Sequence, residues 1–217
     1  MVVRNTVILI IHFLDKWLHK ISMGNKGEAL RQRIIAAADE LFYQQGYEHT
    51  SFSDIADVVG ISRGNFYYHF KSKDEILNAV IGARIAGIEV MLDEWDEKFT
   101  DPLQRLYYYI DMLLRAQEEI RLHGCPIGSL CTELAKTNHE MLNDANKMFT
   151  VFRDWLMVQF NLLGVKKNVK KIAMHFIARV QGIVTVTNAF EDKEFLQQEV
   201  KQLKKWLDDE VLASNHQ

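Results

Sequence analysis

The fold is decided by the stretch Thr50-Ser-Phe-Ser-Asp-Ile-Ala-Asp-Val-Val-Gly-Ile-Ser-Arg-Gly-Asn-Phe-Tyr-Tyr-His-Phe-Lys-Ser-Lys73, which predicts two short helices joined by a tight turn. Ile55 lies three and four residues before Val58 and Val59, so the three side chains share one face of the first helix. Gly60 follows this face directly. Because glycine adopts a left-handed backbone conformation without a steric penalty, we expect the first helix to end there in a sharp turn.

Both predicted helices have residues suited to capping their amino termini. Thr50 or Ser51 can accept the first free backbone amides of the first helix, and Ser62 can do the same for the second. Ile61 and Phe66 are spaced for a hydrophobic staple, which fixes the direction in which the chain enters the second helix. The caps and the glycine turn together predict a helix-turn-helix.

The second predicted helix carries more large polar side chains than a short solvated helix needs. Arginine suits guanine edges or phosphates, asparagine suits adenine edges, and tyrosine, histidine and lysine suit phosphate oxygens. Phe66 and Phe70, four residues apart, supply one buried stripe beneath them. These residue types predict a DNA-reading surface, although a helical hairpin with merely solvated polar residues shares the helical pattern. The predicted DNA contacts are Thr50, Ser51, Ser62, Arg63, Gly64, Asn65, Tyr67, Tyr68, His69, Lys71 and Lys73.

A family resemblance lies in these same residues. The run Gly60-Ile-Ser-Arg-Gly-Asn-Phe-Tyr-Tyr-His-Phe-Lys-Ser-Lys-Asp-Glu-Ile-Leu77 closely resembles the DNA-binding signature of the TetR family of transcriptional regulators, and the resemblance extends upstream through residues 34–42, Gly46 and Tyr47. It implies an all-α homodimer whose N-terminal three-helix domain binds a palindromic operator in double-stranded DNA. It also implies a larger C-terminal helical domain that binds a small-molecule inducer and dimerises through the last two helices. Because the C-terminal domains of this family diverge widely, the inducer does not follow from the resemblance.

The composition sets mild limits on function. The chain has 217 residues, of which 48% are hydrophobic and 25% charged, and it has only 2 prolines, as expected of a soluble helical protein with a substantial core. A formal net charge of -3 counts slightly against DNA binding, unless the acidic residues lie away from the second helix. The 2 cysteines lack the spacing of a disulfide framework or a metal site, which indicates a reducing, cytoplasmic location.

No catalytic motif accompanies this composition. The sequence lacks a glycine-rich phosphate loop, metal-ligand spacing and a nucleophile with a neighbouring base, so we expect neither an enzyme nor a cofactor. We expect a one-component transcriptional repressor that is released from its operator by a small-molecule inducer or by thiol modification. The remaining alternative is a helical dimeric scaffold or ligand-binding protein without DNA binding. That alternative leaves the composition of the second predicted helix unexplained.

Residues 1–22 do not fit the rest of the chain. The apolar run from Val7 to Ile11 is too short to span a bilayer, and no small-residue cleavage site follows it. We expect a disordered extension or an upstream start-site error with the natural start near Met23, and no membrane partner. A short helix packed on the domain and an amphipathic membrane anchor are the other interpretations.

The rest of the chain divides into residues 23–72, the predicted DNA-binding domain, and residues 73–217, the predicted ligand-binding and dimerisation domain. A long helix running from Lys73 or Asp74 to about Lys98 would link them and transmit ligand binding to the DNA-reading helices. Periodic apolar residues predict further helices over residues 103–121, 138–163, 167–190 and 193–212, and Pro126 is well placed as the first residue of another. The helix at 167–190 is apolar on more than one face, so it needs a second copy of the chain as a neighbour.

Bulky residues of this second domain are candidates for a ligand pocket, although a methionine and aromatic stripe also suits an ordinary core. Cys125 follows Gly124 at the start of a helix, where a thiol gains thiolate character. The Gly124-Cys125 pair is similar to one found in a TetR subgroup, some members of which respond to electrophiles or oxidants through that cysteine. The alternative is that Cys125 is a small buried residue that fills the junction between two helices. Cys131 is predicted to be core. The tentative pocket residues are Trp95, Tyr109, Cys125, Phe149, Phe152, His175 and Arg179, the last two being also candidates for interface contacts.

Overall fold

The computed structural model describes residues 26–215, and within that range all regular structure is α-helical. The N-terminal extension at residues 1–22 lies outside the described residues. In chain order the helices are α1 (Lys26–Gln45), α2 (Phe52–Val59), α3 (Arg63–His69), α4 (Lys73–Lys98), α5 (Pro102–Arg115), α6 (Gln117–His123), α7 (Pro126–Lys136), α8 (Leu142–Leu162), α9 (Val169–Phe190) and α10 (Lys193–Asn215). No helix in the described range is both long enough and apolar enough to cross a membrane.

Most helix boundaries follow from the turn-forming residues of the sequence. Gly46 and Gly60 have φ angles of +90° and +73°, which residues with a side chain rarely adopt, and they end α1 and α2. The carboxylate of Asp101 accepts the Leu103 amide at 2.9 Å and thereby caps α5, which begins at Pro102.

Two helical boundaries differ from the prediction. The helix expected over residues 103–121 is broken at Ala116, whose φ of -96° and ψ of 10° interrupt the helical geometry without a glycine or proline to signal it. The helix expected from Asn138 begins only at Leu142, because Asn138 has a φ of +50° and a left-handed residue cannot continue a right-handed helix.

The described chain divides into two compact units. The first comprises residues 26–88 with Pro126–Met148, and the second comprises Glu89–Cys125 with residues 149–215. The domain boundary expected after residue 72 therefore lies within the first unit. The first unit extends beyond residue 72 because of tertiary packing: α7 packs against α1 although 80 or more residues separate them along the chain.

The first unit buries apolar side chains from α1, α2, α3, α4 and α7. Phe66 and Phe70 are both buried, which confirms the stripe expected beneath the DNA-reading residues. Val58, expected on the buried face of α2, is instead 60% exposed, because Ala56 completes that face. The other core residues include Ile34, Ala38, Phe42, Ile55, Val59, Ile76, Leu77, Val80, Ile127, Leu130, Cys131 and Leu134.

The second unit is built mainly from α5, α6, α9 and α10. Helix α10 packs against α5 and α9, and α9 packs against α6. One face of α9 is buried in this unit through Ala173, Phe176, Ile177, Val180, Ile183, Val184 and Thr187. The opposite face of α9 is exposed, so the helix is only half covered by its own chain.

Candidate nucleic-acid interface

The amino terminus of α2 is held by a reciprocal pair of hydrogen bonds. Ser51 accepts the Asp54 amide at 3.2 Å, and the Asp54 carboxylate accepts the Ser51 amide at 2.7 Å. This is the capping box, and its backbone hydrogen bond from Ser51 lowers the pKa of Asp54 below its usual value. The expected cap at Ser51 is confirmed, and the side chain remains exposed beside the first turn of α2.

The turn between α2 and α3 has the geometry expected from its glycine and serine. The Gly60 amide donates to the carbonyls of Ala56 and Asp57 at 2.9 and 3.2 Å, which closes the end of α2. Ser62 accepts the Asn65 amide at 3.4 Å and caps α3. These local hydrogen bonds set the helix-turn-helix from both ends of the turn, as the sequence predicted.

Helix α3 buries one side chain and exposes nearly all others. Phe66 packs edge-on against Phe52, with ring centroids 5.1 Å apart. Tyr67 is 46% exposed although its ring also contacts Phe52, and Tyr68 is 78% exposed. The other exposed predicted contacts are Ser62, Arg63, Gly64, Asn65 and Lys71, while His69 is half-buried. Large exposed aromatic rings beside donors and cations mark a surface that binds a partner.

Arg63 already has a partner on the neighbouring helix. Its guanidinium donates to the hydroxyl of Ser53 at 2.9 Å across the groove between α2 and α3. Both side chains line a surface cavity of about 60 Å³, together with Phe52, Ala56, Phe66 and Tyr67. A cavity of this size admits water but is far smaller than a drug-sized ligand site.

Thr50 is buried, unlike most of the other predicted DNA contacts. Its side chain is only 1% exposed, and its hydroxyl donates to the Gly46 carbonyl at 2.7 Å while accepting from Gln45 at 3.2 Å. The prediction that Thr50 contacts DNA therefore conflicts with its burial. The hydroxyl instead closes the loop before α2. A threonine next to a helix cap suits either this role or DNA contact, and the sequence does not distinguish the two.

Lys71 and Lys73 lie outside α3, which ends at His69. The Lys71 ammonium donates to the Tyr67 carbonyl and remains exposed. The Lys73 ammonium donates to the Tyr47 carbonyl at 3.0 Å and lies 4.1 Å from the centre of the Tyr47 ring. Lys73 is therefore engaged with the loop between α1 and α2.

In the second unit, three of the tentative pocket residues form one buried aromatic cluster. The ring of Tyr109 lies 5.7 Å from Trp95, 5.2 Å from Phe152 and 5.3 Å from Phe176. Burial, with a smaller contribution from the neighbouring Cys125, raises the pKa of Tyr109, so this phenol stays neutral.

The other tentative pocket residues lie around this cluster or apart from it. Cys125 is half-buried and its sulfur lies 3.4 Å from the amide nitrogen of Gln181. His175 and Arg179 both face Trp206, at 5.1 Å and 5.4 Å from its ring centre. Phe149 is half-buried and is the first residue of α8 that belongs to the second unit. Within residues 26–215 no three His, Cys, Asp or Glu side chains are grouped to hold a metal ion.

Two sets of contacts in the first unit were not predicted. Arg84 forms a buried ion pair with Asp39, and the carboxylate of Glu133 accepts two amides of the loop between α1 and α2. A signal existed for Arg84, because its spacing of four from Val80 and from Ile88 places it on the buried stripe of α4. No local sequence pattern predicts the contacts of Glu133.

Comparisons with known proteins agree with this helical fold and with its helix-turn-helix. The family model described as "Bacterial regulatory proteins, tetR family" matches residues 34–80. The chain is 28% identical over 180 residues to an "Uncharacterized HTH-type transcriptional regulator in lacX 3'region" of Lactococcus lactis subsp. lactis, covering 80% of this chain and 91% of the relative. It is 25% identical over 193 residues to the HTH-type transcriptional regulator TtgR of Pseudomonas putida, covering 84% and 90%.

A solved structure extends the likeness to the whole fold. The TetR transcriptional regulator from Legionella pneumophila superimposes with a TM-score of 0.74 at 22% identity, covering 85% of this chain and 98% of the other. The matched domain contains the complete helix-turn-helix, and the relatives extend the match through the helices that follow it. Residues 34–80 therefore match the DNA-binding domain of the TetR family, and most of the chain is similar in sequence to HTH-type transcriptional regulators and in fold to TetR-family regulators.

Proposed function

We propose that this regulator is a repressor that binds a palindromic operator as a homodimer and is released by a small molecule or by thiol modification. The observation that carries the proposal is α3, which buries Phe66 and exposes a dense set of hydrogen-bonding and aromatic side chains. In a homodimer two copies of α3 would enter successive major grooves about 34–36 Å apart.

The exposed side chains divide by the part of DNA that they suit. Arg63 and Asn65, near the start of α3, have the donors and acceptors needed to read base edges. Tyr67 and Lys71 suit phosphate oxygens, and Gly64 permits close approach of the DNA backbone. The remaining proposed contacts to phosphate or sugar are Ser51, Ser62, Tyr68 and His69.

The exposed face of α9 supports dimerisation. Met174, Ala178, Gly182, Val186 and Phe190 recur every four residues along it, and all five are exposed in the single chain. The side chain of Phe190, at the end of this stripe, is 78% exposed. A helix with a second apolar stripe needs a second neighbour, and a twofold axis allows the same stripe of another copy to supply it. Helix α10 would complete this interface.

Release would act through the second unit. The buried cluster of Trp95, Tyr109 and Phe152 is the kind of aromatic lining that apolar ligands use, and a ligand that prefers the conformation unable to fit DNA would release the operator. Cys125 offers a second route, because a group attached to its sulfur would disturb the contact with the side-chain amide of Gln181 in α9, 3.4 Å away. His175 and Arg179 could orient a polar ligand group from the same unit.

The experiment that tests the proposal measures binding of the purified protein to DNA upstream of its own gene and of the neighbouring genes. We expect specific binding that protects two half-sites, and release by an inducer or by a thiol-reactive compound. The absence of specific binding even at low salt would overturn the DNA-binding assignment and favour the helical scaffold instead.

A Cys125→Ser variant separates the two routes of release. It should retain operator binding and release by a reversible ligand while losing release by electrophiles, because serine is not a soft nucleophile. Release of the serine variant by the same electrophile would exclude Cys125 as the sensor.

A further inference from the structure

The loop between α1 and α2 is held by a carboxylate from far along the chain. Glu133 of α7 accepts the Tyr47 amide with one oxygen at 3.0 Å and the Glu48 amide with the other at 2.7 Å. Both amides would otherwise lack a helical partner, because they follow the end of α1. A carboxylate that accepts two successive backbone amides forms charge-assisted hydrogen bonds, which are stronger than neutral ones.

The loop is shaped for this approach. Gly46 has a φ of +90°, and a Cβ atom at this position would lie 3.1 Å from an oxygen of Glu133. A side chain at residue 46 would therefore be strained by its backbone conformation and would also crowd the carboxylate. The glycine that ends α1 is thus also the residue that admits Glu133.

Other contacts also hold this loop. The hydroxyl of Tyr47 donates to the Asp74 carboxylate, and Lys73 donates to the Tyr47 carbonyl at 3.0 Å. The ring of His139 lies edge-on to Tyr47 at 5.4 Å. Burial first, and the Asp74 carboxylate second, raise the pKa of Tyr47, so its hydroxyl remains a donor at neutral pH.

The clamped loop leads directly into the proposed DNA-binding surface. The Thr50 amide donates to the Tyr47 carbonyl at 3.1 Å, and the Thr50 hydroxyl donates to the Gly46 carbonyl at 2.7 Å. The next residue, Ser51, is the exposed cap of α2. A movement of the loop would therefore move the start of α2.

We infer that Glu133 is a positioning residue for DNA binding, because its carboxylate fixes the loop that presents the amino terminus of α2 to the operator. The inference rests on the proposed function. It makes α7 part of the DNA-reading unit although 80 or more residues separate it from α1 along the chain. Preorganisation of this kind raises affinity without a direct contact, since less conformational freedom is lost on binding.

A Glu133→Gln variant tests the inference. Glutamine has nearly the same size but only one acceptor oxygen, so one of the two amides would face an amide group that cannot accept its hydrogen bond. Removal of a negative charge by itself would strengthen DNA binding. We expect the opposite, a loss in operator affinity of about fivefold or more. Faster hydrogen exchange at the Tyr47 and Glu48 amides should accompany the loss.

The matched control is Glu140→Gln, which removes the same charge from an exposed glutamate of the same unit. It should leave affinity unchanged or slightly raised, and a loss equal to that of Glu133→Gln would contradict the inference. Wild-type affinity in Glu133→Gln would also overturn it. The wild type is measured alongside, so a failure of the proposed function appears separately as an absence of specific binding in all three proteins.

Gly46→Ala disturbs the same contact from the loop side and guards against a folding defect in the first variant. It should also weaken operator binding. Adding Glu133→Gln to Gly46→Ala should then cost less affinity than Glu133→Gln costs alone, because Gly46→Ala has already disturbed the same contact. Additive losses in the double variant would overturn the inference. Thermal unfolding of each variant identifies any loss of binding that merely reflects an unfolded protein.

Discussion

Tyr67 and Tyr68 expose much of their ring area on a helix of only seven residues, α3. Neither ring lies in the core, where burial normally stabilises an aromatic side chain. The ring of Tyr67 packs against Phe52 in an edge-on arrangement, with centroids 5.4 Å apart, and this contact restricts the side chain. A phenol held in this way can donate to a phosphate without losing much side-chain freedom.

Tyr67→Phe should weaken operator binding while leaving the fold intact. Phenylalanine keeps the contact with Phe52 and removes only the hydroxyl, whose hydrogen bond to a charged phosphate would contribute about 1.5–3 kcal/mol. Fluorescence anisotropy with operator DNA at matched salt measures the loss, and the dependence of affinity on salt should stay the same. Unchanged affinity would remove Tyr67 from the proposed interface.

Gly64→Ala should separate stability from DNA binding. A Cβ at Gly64 meets no atom within 4 Å, and its φ is not in the left-handed region, so alanine should stabilise α3 by roughly 0.5–1 kcal/mol. If the DNA backbone approaches this glycine, the added methyl group weakens binding in the same variant. Higher thermal stability with lower affinity is the expected pair of results; higher stability with wild-type affinity would contradict close approach.

At the scale of elements, one buried ion pair joins three helices of the first unit. The Nε atom of Arg84 in α4 lies 2.5 Å from a carboxylate oxygen of Asp39 in α1, and their side chains are 2% and 6% exposed. The same guanidinium donates to the carbonyl of Pro126, the first residue of α7, at 2.7 Å. Such a buried pair costs desolvation, so its effect is strongest when one partner is removed.

Arg84→Met should lower the free energy of unfolding by about 3–5 kcal/mol, because it leaves the Asp39 carboxylate buried without its cation. Urea unfolding monitored by circular dichroism measures this change. The double variant Arg84→Met with Asp39→Leu should recover much of the loss, since no unpaired charge remains. A double variant as unstable as Arg84→Met would mean that packing around Arg84, and not the charge pair, supports these helices.

At the scale of the whole molecule, the exposed stripe of α9 should control oligomeric state. Gly182→Arg places a charge in the centre of this stripe, where a Cβ meets nothing within 4 Å in the single chain. The protomer should therefore fold normally but fail to dimerise, and operator affinity should fall by about a hundredfold or more because two linked sites become one. Analytical ultracentrifugation measures the first effect and DNA binding the second.

The control for this prediction is Gly82→Arg, an equivalent change at an exposed glycine of α4 with open space around it. It should remain a dimer. A Gly182→Arg protein that stays dimeric would place the interface elsewhere on the chain.

The helices and the DNA-reading segment were accessible from the sequence because they depend on local interactions. Ser51, Gly60 and Ser62 form hydrogen bonds with residues only three or four positions away, so short spacing patterns were sufficient to predict them. The break at Ala116 was missed because no residue type there disfavours a helix. The late start of α8 was missed because the conformation of Asn138 was not evident from helical periodicity.

The sequence by itself determined the all-helical fold, the helix-turn-helix and the TetR signature, since each depends on residues that lie close together along the chain. Only the tertiary structure decided that Thr50 is buried, that Lys73 and Glu133 hold the Tyr47 loop, and that Arg84 pairs with Asp39. The Arg84 and Glu133 contacts join residues 45 and 86 positions apart. Periodicity identifies which face of a helix is buried, but the partner of that face depends on how distant helices pack.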